Sequence, residues 1–435
     1  MHTLDSLRAG ELAGITRLDL SCGLTEFPEE IFTLADSLEV LNLSGNALSR
    51  LPEDLPRLHK LRVIFCSDNR FTELPAVLGR CAALEMVGFK ANQIGHVPAA
   101  ALPEKLRWLI LTDNQIRTLP AELGRCTRLQ KLMLSGNQLT ALPDEMAACR
   151  NLELIRLAAN QFAALPAWLT TLPRLAWLAY SGNPCSDAQE AEAMAERALL
   201  TVAWSELAVQ ALLGEGASGM IYRADWHGTP LAVKVFKGAV TSDGLPHSEQ
   251  AASLLAGEHA GLIPVLGKVS NHPDGKLGLL LALIPPHYVN LAQPPSLASC
   301  TRDCYPAERR YTPAQVVQLA TQVADAVAHL HAQGVLHGDL YGHNLLWDEQ
   351  GSCLLGDFGA ASFLPRHDDA LATALQQLEV RAFGCLLEEL LDRCEPSDDL
   401  APLRRLQADC LSNEVAKRPA FAEVLQVLRQ WSLAD

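Results

Sequence analysis

Three side chains in this sequence have the types and spacing that metal-dependent phosphoryl transfer requires. Asp339 and Asn344 lie five residues apart in His337-Gly-Asp-Leu-Tyr-Gly-His-Asn344, and Asp357 follows thirteen residues later in Gly356-Asp-Phe-Gly359. One carboxylate can orient an attacking hydroxyl, while the asparagine amide and the second carboxylate hold Mg²⁺ against phosphates. Either segment alone is a weak signal. Their order and spacing together are a strong one.

Such chemistry needs a phosphate-holding element upstream. Gly214-Glu-Gly216-Ala-Ser-Gly219-Met-Ile221 supplies a glycine run whose backbone can close over phosphates without side chains in the way. It leads into a second strand, Met220 to Asp225, rather than a helix, which argues against a dinucleotide site. Fifteen residues past Gly219, the β-branched segment Leu231-Ala-Val-Lys234 ends in a lysine. These segments resemble the protein-kinase family over about residues 205–432. The resemblance implies ATP and Mg as cofactors and catalytic roles for Asp339, Lys234 and Asn344. It implies nucleotide contacts from Gly214, Gly216, Gly219, Ile221, Lys234, Glu249, Ala282 and Leu283, and metal ligation by Asn344 and Asp357. Glu249 is favoured as the lysine's helix-borne partner, with Glu258 as the competitor in a glycine-containing turn. Leu279 to Leu283 reads as the last small-lobe strand, with Leu281 at the gatekeeper position and Ala282 to Leu283 as the hinge. Thr312-Pro313 caps a helix whose apolar face is Val316, Leu319, Val323, Val327 and Leu330. Glu379 to Gly384 resembles the start of the large-lobe helix, and Arg418 the late family arginine.

Three departures from the family pattern bear on substrate. Gly338 replaces the arginine that reads activation-loop phosphorylation, so phosphates at Ser362 or Thr373 would lack that reader. Tyr341 replaces the lysine of serine/threonine kinases. Asp357 and Glu379 are only twenty-two residues apart, with no Ala-Pro-Glu between them, so the peptide platform is short and Arg418 lacks its usual glutamate. His-Gly-Asp also resembles the wording of aminoglycoside- and choline-type phosphotransferases. The leading expectation is a protein kinase preferring Ser/Thr; the alternatives are a small-molecule phosphotransferase and a pseudokinase scaffold. His337 is expected to pack beneath the catalytic loop, and His343 could reach substrate.

The first half of the chain must position this domain or serve it. Leucine motifs recur with asparagines at Asn46, Asn69, Asn92, Asn114, Asn137, Asn160 and Asn183, 22 or 23 residues apart. That period marks a leucine-rich-repeat solenoid, one short strand per repeat lining a horseshoe. Residues 15–28 read as a shortened first repeat with Gly23 at the asparagine position, and Leu4, Leu7 and Leu12 as a cap over its open end. The fold class is therefore an α/β solenoid followed by a two-lobed α+β kinase-like domain. The expected domains are residues 1–185, a helical linker at 186–204 and residues 205–435. Strand alternation points Val40, Phe65, Met86, Trp108, Met133, Arg156, Trp177 and Ala179 outward on the concave side. Aromatics and Met gathered on one stripe suggest an interface, for a foreign protein partner, the chain's own kinase-like half or a second copy in a homodimer.

The net charge of −15 is concentrated in residues 186–435, which carry 31 acidic and 17 basic side chains, and this argues against nucleic-acid binding. No apolar run reaches eighteen residues and the start lacks a signal-peptide pattern, so a cytoplasmic protein without a membrane span is expected. Twelve cysteines would raise disulfides, but Cys81, Cys126 and Cys149 occupy one equivalent repeat position, as small buried packing groups do.

Overall fold

The repeat signature becomes a ladder of side-chain hydrogen bonds. In the computed structural model, which describes residues 2–195, 200–216, 218–238, 240–241, 243–397 and 400–432, the chain divides into two compact units. The first holds residues 1–155 with 160–172, and the second 156–159 with 173–435. Helix α1 (Leu4–Arg8), capped by Thr3, buries Leu7 at the start of the first unit. Strands β1 (Arg17–Asp19), β2 (Val40–Asn42), β3 (Val63–Phe65), β4 (Met86–Gly88), β5 (Trp108–Ile110), β6 (Lys131–Met133) and β7 (Leu154–Arg156) then follow in sequence order as parallel neighbours. Their central residues, Leu18 to Ile155, are buried as the inward row of the repeat.

Each asparagine satisfies the loop backbone that has no strand partner. Asn46 Oδ1 accepts from the Leu24 amide at 2.9 Å, while its Nδ2 donates to the Leu20 and Leu43 carbonyls at 2.8 Å. Asn69 repeats the pattern with Leu48, Leu43 and Cys66. The residue before each asparagine is left-handed, whether glycine (Gly45, Gly136) or not (Asp68, Ala91, Asp113). After each Leu-Pro the chain makes a tight 3₁₀ turn, such as Ala121–Arg125, rather than a full helix.

Beyond the 156–159 segment, the second unit holds strand β8 (Trp177–Ala179) and helix α2 (Asp187–Ala195). The helix expected through Leu200 is thus described only to Ala195, with 196–199 outside the described residues. Thr201–Ala203, expected in the linker, is strand β9 and pairs in parallel with β13 (Val265–Ser270). Strands β10 (Leu207–Glu215), β11 (Gly219–Trp226), β12 (Thr229–Phe236) and β14 (Gly278–Ala282) complete a sheet of order β10-β11-β12-β14-β13-β9, beside helix α3 (Pro246–Ala256). The downstream part holds β15 (Val289–Asn290), helix α4 (Pro313–Ala332), β16 (Val335–Leu336), β17 (Leu345–Trp347), β18 (Cys353–Leu355) and β19 (Ser362–Phe363). Helices α5 (Asp369–Leu391), α6 (Ala401–Cys410) and α7 (Phe421–Ser432) follow. The Thr312 hydroxyl accepts from the Gln315 amide at 3.2 Å, and the apolar face anticipated for α4 is buried.

Two expectations change here. Helix α5 starts at Asp369, capped by Asp368, so Glu379 lies inside a helix rather than at its start. Ser362, expected as a phosphorylation candidate, is fully buried in β19 and its hydroxyl accepts from the Tyr180 amide at 2.9 Å. All twelve cysteines are free thiols, and burial pushes those of Cys81 and Cys126 up to about 11.

Candidate active site

The glycine run forms the hairpin between β10 and β11, closed by the Gly216 amide donating to the Gly219 carbonyl at 2.9 Å. A Cβ on Gly219 would lie 2.7 Å from the Val235 carbonyl, so strand closeness demands glycine there. On Gly214 or Gly216 it would enter open space. Those two positions leave room for a ligand's phosphates, and the cradle fits a nucleotide.

Beneath the hairpin, β12 delivers Lys234 and α3 delivers Glu249. Their side chains pair directly in the buried interior, and Lys234 Nζ also sits 3.5 Å from Asp357 Oδ1. Glu249, rather than Glu258, is therefore the lysine's neighbour. Burial works against the Lys234 charge, but the two carboxylates outweigh it and hold its pKa up. In return Lys234 holds the Asp357 carboxyl below the usual carboxylate range. Gly216, Gly219, Ile221, Lys234, Glu249, Leu279, Leu281 and Asp357 line one cleft. Gly214, Ala282, Leu283, Asp339 and Asn344 are not among its lining residues, although Ala282 ends strand β14 and the Asn344 carbonyl accepts from the lining Gly356 amide at 3.1 Å.

The 337–344 segment is anchored from below. Glu379 accepts from the amides of Gly338 at 2.7 Å and His337 at 3.3 Å, and from His331 Nε2 at 2.7 Å. His337 is buried against the Gly356 carbonyl at 2.8 Å, a packing role as anticipated. Asn344 Nδ2 donates at 2.8 Å to both the backbone carbonyl and Oδ2 of Asp339. Asp357 has a left-handed backbone with φ of 56° and accepts from the Gly359 amide at 3.2 Å. With Asn344, it offers oxygen donors of the kind Mg²⁺ prefers. His343 does not project freely toward substrate. Its Nδ1 bonds Asp303 at 2.7 Å and its amide donates to the same carboxylate.

Sequence reasoning missed several residues at this site. Arg156, read as part of an outward stripe, is buried, bonding Asp243 through Nε at 2.7 Å and the Gly338 carbonyl through Nη1 at 3.0 Å. Its Nη2 meets Asp339 Oδ1. Burial opposes its charge, and the carboxylates of Asp339 and Asp243 outweigh it, raising its pKa. Trp177, also expected to face outward, stacks on Tyr341 with ring centres 4.2 Å apart, and its Nε1 donates to the Leu340 carbonyl at 3.0 Å. Both residues belong to the same compact unit as the 337–344 segment and meet it there, one of the alternatives left open for the stripe. Arg418 is buried without a carboxylate partner among the described residues, donating to the Ser412, Gln377 and Pro173 carbonyls, and burial lowers its pKa to about 10.

A family model for protein tyrosine and serine/threonine kinases matches residues 207–388, and one for the leucine-rich repeat matches residues 37–58. Serine/threonine-protein kinase A-Raf of Homo sapiens is 24% identical over 280 residues, covering 52% of this chain and 43% of that protein. Serine/threonine-protein kinase CTR1 of Arabidopsis thaliana is 24% identical over 274 residues, covering 53% and 32%. A probable serine/threonine-protein kinase of Dictyostelium discoideum is 23% identical over 270 residues, covering 53% and 28%. The chain spans less than half the length of these relatives. Among solved structures, a leucine-rich-repeat protein of Leptospira interrogans is 31% identical, covering 39% of this chain and 49% of that one, with a TM-score of 0.33.

Proposed function

This chain joins leucine-rich repeats to a protein-kinase domain, and from that premise we propose that it is an ATP- and Mg-dependent cytoplasmic protein kinase that prefers serine and threonine hydroxyls. The observation that carries the reading is the grouping of Lys234, Glu249 and Asp357 at one cleft, to which Asn344, bonded to Asp339, is tied by the Gly356 amide donating to its carbonyl at 3.1 Å. When bound, Mg-ATP supplies the phosphoryl group to be transferred. Lys234 would grip the α- and β-phosphates, held in place by Glu249. Asn344 and Asp357 would ligate the metal. Asp339 would orient the substrate hydroxyl and accept its proton. The repeats would recruit protein partners through their strand face, where Phe65 and Trp108 are aromatic anchors. No helix among the described residues is long and apolar enough to cross a membrane.

A second reading, a phosphotransferase for a small hydroxylated molecule, is favoured by the start of α5 at Asp369. Only residues 358–368 then separate Asp357 from the helix, leaving little platform for a peptide.

Thermal shift with ATP, with and without Mg²⁺, tests the shared core of both. Wild type should be stabilised more by Mg-ATP than by ATP, and Asp357→Ala should erase the difference. No stabilisation under any condition would return the chain to a scaffold role. Labelled phosphate from ATP, offered to protein and small-molecule acceptors side by side, separates the two readings.

A further inference from the structure

Arg156 ends strand β7 and is 2% exposed, within the compact unit that holds the catalytic loop. Its guanidinium engages one oxygen of Asp339, while the Asn344 amide engages the other at 2.8 Å. A carboxylate carries about four lone-pair sites on its two oxygens. Two donors therefore leave about half of them open, and the Asp339 side chain retains 19% exposure. We propose that Arg156 is a positioning residue for phosphoryl transfer, clamping the Asp339 carboxylate together with Asn344 so that its remaining face meets the substrate hydroxyl. The inference rests on the kinase reading above.

The departures in the catalytic loop fit this arrangement. The loop has no lysine at position 341, and the cation beside Asp339 comes instead from position 156. Tyr341 turns its ring to Trp177, which also bonds the Leu340 carbonyl. Gly338 presents its carbonyl to Arg156. With φ of 72°, it also admits a backbone approach that any side chain would block, since a Cβ there would lie 2.7 Å from the Leu178 carbonyl. Contacts at four consecutive loop positions, 338 to 341, thus seat the 156 and 177–178 segments against it. The planar fork of arginine suits this task, because one group reaches Asp243, a carbonyl and Asp339 at once, which a lysine's point charge cannot.

Steady-state phosphoryl transfer by the full chain, with Mg-ATP varied, tests the proposal. Arg156→Ala should lower kcat by about 100-fold, the scale of a misplaced reacting group, with KM for ATP and ADP-induced thermal stabilisation nearly unchanged. Arg156→Lys should recover part of that loss. If Arg156→Ala fails to fold, Arg156→Lys against Arg156→Gln carries the test, and the lysine variant should exceed the glutamine variant by about tenfold in kcat, the return expected from restoring charge beside Asp339. A merely structural arginine would lower the melting temperature and disturb KM and kcat together. That outcome, equal kcat in the two conservative variants, or unchanged turnover in Arg156→Ala overturns the proposal. Faster turnover in Arg156→Ala overturns it too, by marking the arginine as a plug. A wild type that binds Mg-ATP but transfers to no acceptor overturns the kinase reading and this inference together.

Discussion

Trp177 and Tyr341 stack almost parallel, with ring centres 4.2 Å apart and planes 7° from each other. Both are buried, and the Tyr341 hydroxyl has no hydrogen-bond partner among the described residues. The pair therefore works as packing, not as a polar link. Trp177→Ala should remove about 3–5 kcal/mol, the usual cost of emptying a buried aromatic site. At ~2–4 °C per kcal/mol for a body of this size, the loss should appear as a melting shift near 10 °C. A shift within 2 °C would place the stack outside the folded core. Tyr341→Phe should be neutral or stabilising, since it removes an unsatisfied buried hydroxyl.

Gly338 explains why the family arginine cannot simply be restored. Its φ is 72°, and a Cβ would approach the Ala360 carbonyl at 2.4 Å and the Leu178 carbonyl at 2.7 Å. Left-handed strain alone costs about 1–2 kcal/mol, and the backbone overlaps add to it. Gly338→Ala and Gly338→Arg should both lower the melting temperature clearly and impair phosphoryl transfer. A variant as stable and active as wild type would mean that the loop relaxes freely, contrary to this packing.

Glu379 should make stability pH-dependent. Burial raises its pKa, but the His331 hydrogen bond and the charges of His331 and His337 outweigh this, so the folded value lies below the usual one. A depressed carboxyl contributes stability that is present above its unfolded pKa, ~4.3, and lost as pH falls through the folded value. Glu379→Gln should cost about 1.5–3 kcal/mol at pH 7, as expected for hydrogen bonds to a charged group. The gap between wild type and variant should close as pH falls below ~4.3. Melting curves from pH 3 to 8 check it; a constant gap would mean that charge is not what anchors the loop.

Loop phosphorylation should offer little leverage here. Ser362 is buried, whereas Thr373 is exposed on α5 with its hydroxyl bonded to the Asp369 carbonyl at 2.8 Å. With Gly338 in place of the phosphate-reading arginine, Thr373→Ala should leave turnover within a few-fold of wild type. A hundredfold loss, about 2.7 kcal/mol of barrier, would show that this threonine takes part after all.

Much of this molecule is legible in its sequence because its signals are periodic or locally spaced. The asparagine interval marks the repeats, since each side chain serves its own loop. The glycine run and Lys234 announce the cleft because hairpin and strand form close in sequence. The Lys234–Glu249 pairing is legible through the family resemblance, because Glu249 lies in an amphipathic stretch while Glu258 lies in a glycine-containing turn. The partner of Arg156 is not legible. Arg156 lies 183 residues before Asp339, and the alternation that points it away from the repeat core does not reveal what meets it on the other side. The same blindness applied to Ser362, whose burial depends on Tyr180, 182 residues earlier. Helix α5 starts ten residues before Glu379 because Asp368 caps it, accepting from the Leu371 amide at 2.9 Å.

The repeat strands of the first unit provide the last test. Phe65 ends β3 and Trp108 begins β5, both half-buried on the face that alternates away from the repeat core, with Lys131 Nζ 4.4 Å from the centre of the Trp108 ring. If this face recruits a protein, these aromatics should carry a large share of the binding, because truncating interface anchors typically costs 2 kcal/mol or more. Phe65→Ser with Trp108→Ser should leave Mg-ATP stabilisation of the full chain intact while weakening association about 30-fold or more. Light scattering after size exclusion reads the outcome for self-association. A wild-type dimer that becomes a monomer assigns the face to a second copy, and a wild-type monomer directs the search to a foreign protein. A double mutant that keeps its mass and every partner would reduce the stripe to packing within the repeats.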